Sequence, residues 1–507
     1  MERLNAKRDA RVGALLYSDI RNSLFVWFPS REMQSVAQGM PQNCRKTYSD
    51  QRCSSREELS DLSLALAEDR VLEEAKNRKR LPTLPHQTQG FAHTPVFMFP
   101  AARICSLLIA LLPLTIAGCM ALSHVAPPPN ISAGASSKIA QRFGMHTHDA
   151  IHHWPSVTFG YWRVWDAGVS WPQVETARGS YNFDLLDQYV TLAEQHNVKM
   201  IYVLGNTPQW ASSNPNHVGT QGLPGATAPP NDIQDWQDYV RTVVTRYKGR
   251  IYAYELWNEV DLDGYWTGSM SQMLQIVQVA YETIKQVDPA AQVLSPSLVA
   301  GNGRAYLKSF FAAGGDKFSD AVPYHLYDTQ MRPEDTVTDV YEPTLAIAHQ
   351  FGKEIWDTEV GWGPFGTFPS QQDEAAFTAR TMILQAAEGI NVIVWFAWDD
   401  RGPWVQISFV GPDFQTPTPA AIAFNQVQAW LADSSITCSN TPDGTWQCPV
   451  TPTSGTPKYI VWNVQGSTTF AVPTTWQVKS ITDLAGNTQT ISASSIPIST
   501  SPVLLAP

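Results

Sequence analysis

Ala253-Tyr254-Glu255-Leu256-Trp257-Asn258-Glu259 and, one hundred positions on, Lys353-Glu354-Ile355-Trp356-Asp357-Thr358-Glu359-Val360-Gly361-Trp362 decide how this chain reads. Each is a short apolar strand that ends in a glutamate with tryptophan neighbours. A carboxylate at the end of a buried strand is costly unless it is paired or used. Two such ends suggest the acid pair that cleaves a glycosidic bond.

Outward from these two stretches the same strand character recurs. Strands are expected at Arg142–His146, Tyr161–Ala167, Val198–Leu204, Ile251–Leu256, Gln292–Pro296, Asp320–His325, Glu354–Thr358 and Asn391–Trp395. The first start and the last lie 249 residues apart, about 36 per step, which is the length of a repeated βα unit. The segments between carry helical spacing, as in Ile233, Trp236, Tyr239, Val240, Val243, Val244 and Tyr247. Met273, Leu274, Val277, Ala280, Tyr281 and Ile284 repeat it up to Asp288-Pro289. The strands are apolar on both faces, as in a buried parallel sheet. The expected fold is α/β, a closed (β/α)8 TIM barrel over 140–425; a doubly wound sheet explains the count of eight less well. After 425 Ser, Thr, Pro and Val dominate, with short strands at 458–464, 468–472, 476–481 and 503–505. Residues 426–507 are therefore expected to form a small C-terminal β-sandwich.

Composition agrees with a large core: 507 residues, 43% hydrophobic, 16% charged, with 18 Trp. Residues 1–97 hold 15 basic and 12 acidic side chains, and the rest 20 and 34. An acidic body repels phosphate backbones, so nucleic acid is not an expected partner. Arg103 followed by the apolar run 104–117 describes a secretory signal, too short for a typical membrane span. Ile116-Ala117-Gly118-Cys119 resembles a lipobox, which makes Cys119 the lipidation site and 98–119 the signal. Translation is expected from Met98, with 1–97 an untranslated or disordered extension and 120–139 a linker. The expected location is exported, periplasmic or cell-surface, held to the membrane only by a lipid. Of the six Cys only Cys438 and Cys448 remain in the exported body. They flank the turn signal Thr441-Pro442-Asp443-Gly444, so a disulfide is expected.

At the two strand ends the sequence resembles glycoside hydrolase clan A, whose signature is Asn-Glu after strand four and Glu at the end of strand seven. Within the clan it is similar to family 39, on Phe143-Gly144-Met145-His146, Arg163, Trp257-Asn258-Glu259, His325-Leu326-Tyr327 and an appended sandwich, over 140–507. The resemblance implies a retaining hydrolase of β-linked oligo- or polysaccharide that needs no cofactor. It assigns Glu259 as acid/base, Glu359 as nucleophile and Asn258 as partner of the sugar 2-hydroxyl. Tyr327 contacts the nucleophile, Arg163 keeps it ionised, and Trp398 (or Trp395) floors the sugar site. Trp257 and the negative Glu359 are expected to raise the acid's pKa.

His146-Thr147-His148 also matches the His-x-His of metal-dependent amidohydrolase barrels, with His325 and Asp399 as further ligands. Strand four ends in Asn-Glu and Val293-Leu294-Ser295-Pro296 has no His, so no metal site is expected. His146, His148 and His325 are read as substrate-binding residues. A non-catalytic, surface carbohydrate-binding barrel is the remaining alternative, and the presence of both glutamates speaks against it.

Overall fold

A computed structural model describes residues 142–507 apart from 300, 302, 329–331, 364–365, 400–401 and 403–404. The expected signal, the lipobox Cys119, the linker and the segment 1–97 lie outside the described residues.

Eight parallel strands close into a barrel. They are β1 Phe143–His146, β2 Tyr161–Val164, β3 Lys199–Leu204, β4 Ala253–Leu256, β5 Gln292–Leu294, β6 Ala321–His325, β7 Glu354–Val360 and β8 Ile393–Trp395. Each pairs with its sequence neighbour, and β8 pairs with β1 through Phe143 and Ile393, which closes the ring. All eight lie where the apolar runs predict them. A short strand, Leu298–Val299, extends the β5 side against Tyr324 and His325.

Strand alternation sorts the side chains into two cores. Tyr161, Ile201, Ala253, Leu294, Ala321, Trp356, Val392 and Val394 point inward and plug the barrel. The opposite faces pack against the helices α1 Asp184–Gln195, α2 Ile233–Arg246, α3 Met270–Val287, α4 Gly303–Ala312, α5 Glu342–Gln350, α6 Gln371–Ala387 and α7 Pro419–Leu431. Side chains cap these helices where the sequence offers them. Asp232 accepts from Gln234 at the start of α2, and Ser269 with Gln272 forms a capping box on α3. Thr418 caps α7, whose first residue is Pro419.

Helix α7 runs six residues past the expected boundary at 425, so the all-β part begins at Ser434. Its main sheet orders the strands Ser434–Ile436, Thr445–Pro452, Lys458–Asn463, Val503–Ala506, Ser480–Thr482 and Thr488–Thr490. A second, two-stranded sheet of Thr468–Ala471 and Ser495–Ile498 lies over it. Val461 and Leu505 from one sheet meet Ile496 and Ile498 from the other, which makes the packing a sandwich. Two details differ from the sequence reading. Thr445–Pro452 is the longest strand of the sandwich, and its two prolines mask it. Thr474–Trp476 is a 3-10 turn and not the start of a strand.

Trp462 ties the sandwich to the barrel. Its Nε1 donates to Glu334 Oε1 at 2.6 Å, and Arg380 of α6 donates to both Glu334 oxygens at 3.0 and 3.1 Å. Glu334 belongs to the segment that follows β6.

Cys438 and Cys448 form a disulfide with Cα atoms 4.2 Å apart, across the hairpin that pairs Ser439 with Gln447. Closing a loop this short stabilises by roughly 2–3 kcal/mol on the chain-entropy account. We expect Cys438→Ser to lower the melting temperature of the sandwich without altering the far-ultraviolet spectrum of the barrel. Thiol labelling of the denatured, unreduced wild type should modify neither cysteine; labelling of both would remove the bridge from the account.

Candidate active site

Arg163 is the centre of the site. It lies on β2 two residues above Tyr161 of the inward plug, so alternation turns it into the barrel. Burial of a guanidinium is costly unless its donors are matched. Here Nε and Nη2 donate to Glu255 Oε2 and Oε1 at 3.1 and 2.6 Å, Nη2 to Asn258 Oδ1 at 2.7 Å, and Nη1 to Glu359 Oε2 at 2.7 Å. Glu255 stands two residues above inward-facing Ala253, so the same alternation brings it inside. Arg163 and Glu255 are both fully buried.

Glu259 sits just past the end of β4 on a strained turn. Trp257 has φ 81° and Glu259 φ 44°, a region costly for bulky residues. The turn is held by Ser297, whose Oγ accepts from Glu259 N at 3.0 Å, and by Trp257 Nε1, which donates to Tyr265 O at 2.9 Å. Glu359 reaches the cleft by a different device. Strict alternation from inward Trp356 would turn Glu359 outward. The register between β7 and β8 shifts between Asp357 and Val360, and this irregularity re-aims the glutamate. The two residues are 7% and 8% exposed.

Electrostatics give the two acids different surroundings. Burial pushes the Glu259 carboxyl up to about 7, against the pull of Arg163 and with added repulsion from Glu255. Glu255 is thus an anionic neighbour that the sequence did not suggest, beside the mutual repulsion of Glu259 and Glu359. Burial also holds Glu359 above its usual value, against the pull of His325 and Arg163 and with added repulsion from Glu259. Glu359 further accepts from Tyr327 Oη at 2.9 Å. Burial and the Glu359 charge hold the Tyr327 phenol well above its usual pKa, so it stays a donor.

His325 stands between the two carboxyls. Its Nδ1 lies 2.8 Å from Glu259 Oε1 and 3.8 Å from Glu359 Oε1. Burial takes the ring down to about 4, so it is neutral at pH 7. Glu259, His325 and Glu359 bring one ligand atom each within 4.8 Å of one another, a spacing that a cation would also fit. Glu259 Oε1 lies within hydrogen-bond reach of His325, and the two Glu359 oxygens accept from Tyr327 and Arg163.

His146 and His148 end β1 as a pair, Nε2 to Nε2 at 3.2 Å. Asp399 fixes them from beyond β8. It lies 3.0 Å from His148 Nδ1 and accepts from His148 N, Asp149 N and Thr147 Oγ1 at 2.9, 2.8 and 2.9 Å. Phe396 packs on His146 with ring centres 4.4 Å apart. Trp398 requires a correction. It is 1% exposed inside the barrel–helix core, where no sugar ring reaches its face. Trp395 is equally buried, stacked on Phe409. Phe396 continues the inward series of Val392 and Val394, so it is the strand-eight aromatic beside the cleft. Glu255 and Phe396 are the site residues that sequence reasoning missed; inward alternation from Ala253 and Val394 was the signal for both.

The pattern of the family described as "Glycosyl hydrolase family 10" matches residues 164–295, which hold Asn258 and Glu259 but not Glu359. Endo-1,4-beta-xylanase 2 of Claviceps purpurea is 32% identical over 124 residues, 24% of this chain and 35% of that one. Endo-1,4-beta-xylanase C of Phanerodontia chrysosporium is 27% identical over 266 residues, 49% and 63%. The chain thus spans less than two thirds of these relatives. Among solved structures, a family 39 glycoside hydrolase from Bacteroides cellulosilyticus WH2 superposes with a TM-score of 0.60 at 20% identity, over 73% of this chain and 81% of that one. The chain is similar to family 10 from the end of β2 to β5 and shares its fold with a family 39 glycoside hydrolase.

Proposed function

We propose that the protein is a retaining glycosidase that cleaves β-linked oligo- or polysaccharides through a covalent glycosyl-enzyme. One observation carries the reading: Glu259 and Glu359 offer oxygens within 4.8 Å of each other. Retaining enzymes hold their two carboxyls about 5 Å apart, whereas inverting ones leave about 6.5–9.5 Å for a water. A barrel that only binds sugar has no use for two buried carboxyls at this spacing.

Glu359 attacks the anomeric carbon as its bond to the leaving oxygen breaks, and Glu259 gives that oxygen its proton. Arg163 and Tyr327 hold the Glu359 carboxylate in place. A neutral His325 with its proton on Nδ1 donates to Glu259 Oε1 and leaves Oε2 for the sugar. Glu259, now ionised, takes a proton from water, and the hydroxyl attacks from the face that the leaving group left, opposite Glu359, whose bond to the anomeric carbon breaks. Asn258, held by Arg163, is suited to the sugar 2-hydroxyl, and the His146–His148 pair to hydroxyls on the β1 side. The xylanase names of the relatives make β-1,4-xylan the first substrate to test.

The two glutamates should fail differently. Glu359→Ala should abolish turnover of every substrate. Glu259→Ala should cost roughly 10²–10⁴-fold in kcat/KM on glycosides with poor leaving groups, and far less on aryl glycosides of acidic phenols, which leave without a proton. Azide should then restore product release as a glycosyl azide. Full activity in Glu359→Ala refutes the assignment.

The pH profile carries the sign of the Glu259 shift. Its folded pKa is raised, so the proton it must deliver is present below about 7 and is lost as pH rises through that value. We expect kcat/KM on poor leaving groups to fall along an alkaline limb near pH 7, and that limb to disappear with acidic phenols. A limb that is the same for both substrate types contradicts the role of Glu259.

Export and lipid anchoring at Cys119 belong to the same proposal; the Cys438–Cys448 bridge supports passage through an oxidising compartment. Mass spectrometry of the N-terminus of membrane-extracted protein should find a lipidated Cys119. Peptides from residues 1–97 in the mature protein argue against it.

A further inference from the structure

We propose that a groove at the seam between the sandwich and the segment after β6 is a second glycan-binding site, apart from the catalytic cleft. It encloses about 390 Å³ and is lined by Trp446, Asn440 and Gln465 from the sandwich and Arg332, Glu334 and Asp335 from the barrel. Small-molecule sites run from about 300 to 1,000 Å³. No residue of the cleft takes part.

The sheet explains the aromatic floor. Trp446 and Trp462 are opposite each other on Thr445–Pro452 and Lys458–Asn463, and their rings stack 5.6 Å apart at 6°. Trp462 is buried and pinned through Nε1 to Glu334. Its ring covers one face of Trp446. Trp446 lines the groove and Trp462 does not, so the uncovered indole face is the one turned to the groove. A flat, half-exposed ring with rigid backing suits the apolar face of a sugar. Because Trp462 is itself held by a buried ion pair, the platform is preorganised, which lowers the entropy lost on binding.

The charges around the ring select for a neutral ligand. Arg332 pairs with Asp335 at 3.4 Å, and Glu334 is matched by Arg380. What remains at the rim are the exposed amides of Asn440 and Gln465, which offer both donors and acceptors to hydroxyl groups. One ring face with amides and no net charge fits an uncharged saccharide better than a peptide or an anion. The choice of glycan rests on the glycosidase reading, which makes a saccharide the ligand class this chain meets. Glu334 begins only seven residues after Tyr327, so a chain bound at the seam lies against the segment that carries a contact to the nucleophile.

Calorimetry tests the site with hexasaccharides of β-1,4-xylan, β-1,4-glucan and β-1,4-mannan. The titrated protein is full-length Glu359→Gln, which binds without turnover. At least one hexasaccharide should show two sites per chain. Adding Trp446→Ala should remove one of them, or weaken it roughly tenfold or more, and Trp446→Phe should keep it. Gln465→Ala and Asn440→Ala serve as milder variants should Trp446→Ala fail to fold; each should weaken the same site. In the wild-type background these seam variants should leave turnover of small aryl glycosides unchanged. A single site indifferent to all four variants overturns the proposal, as does the absence of any binding that depends on Trp446. If the cleft reading alone is wrong, the outcome is different: one site remains in Glu359→Gln, and Trp446→Ala removes it.

Discussion

A single buried guanidinium organises the mouth of this barrel. Arg163 has no exposure to water and must find its partners inside the protein. It finds Glu255 on β4, Asn258 just beyond it and Glu359 on β7, and so links strands on opposite sides of the ring. Two carboxylates around one cation leave the centre short of positive charge. Burial holds the proton on the third carboxyl, Glu259, more tightly, against the pull of Arg163 and with added repulsion from Glu255. Removal of Arg163 would leave Glu255 and Glu359 buried without a counter-charge, so the arginine sustains both the fold of the mouth and the ionisation pattern within it.

The positions of the two glutamates cost the backbone some regularity. Trp257 and Glu259 adopt positive φ values that neither residue favours, and β7 breaks register before Val360. Both departures lie at the strand ends, where hydrogen bonds from Ser297 and contacts with Tyr327 hold them. Lower in the barrel the apolar plug keeps strict alternation. Within the barrel strands these two departures lie at the cleft end, above the regular layer of the plug.

Much of the fold was legible because its signals are local. Eight apolar runs at an even period define a barrel, and the glutamates at two of their ends mark its working face. What escaped depends on non-local pairing. Glu255 reads as one residue of a strand until Arg163 is placed opposite it. The break in β7 has no sequence signature, since it arises from pairing with β8. Trp398 attracted the role of sugar floor because it is a tryptophan near the end of β8, yet the chain leaves the strand at Trp395, and it is Phe396 that continues inward. In the sandwich Thr445–Pro452 was hidden by Pro449 and Pro452, which pairing with Lys458–Asn463 accommodates.

The central claim is that two carboxyls at this spacing flank the anomeric carbon on opposite faces, Glu359 first as nucleophile and then as leaving group, Glu259 first as acid and then as base. The anomeric configuration of the first-formed product reports it most directly. Proton NMR during hydrolysis of an aryl β-glycoside, recorded before mutarotation, should show the β-anomer as the initial sugar. Initial appearance of the α-anomer would mean direct attack by water and would contradict the account.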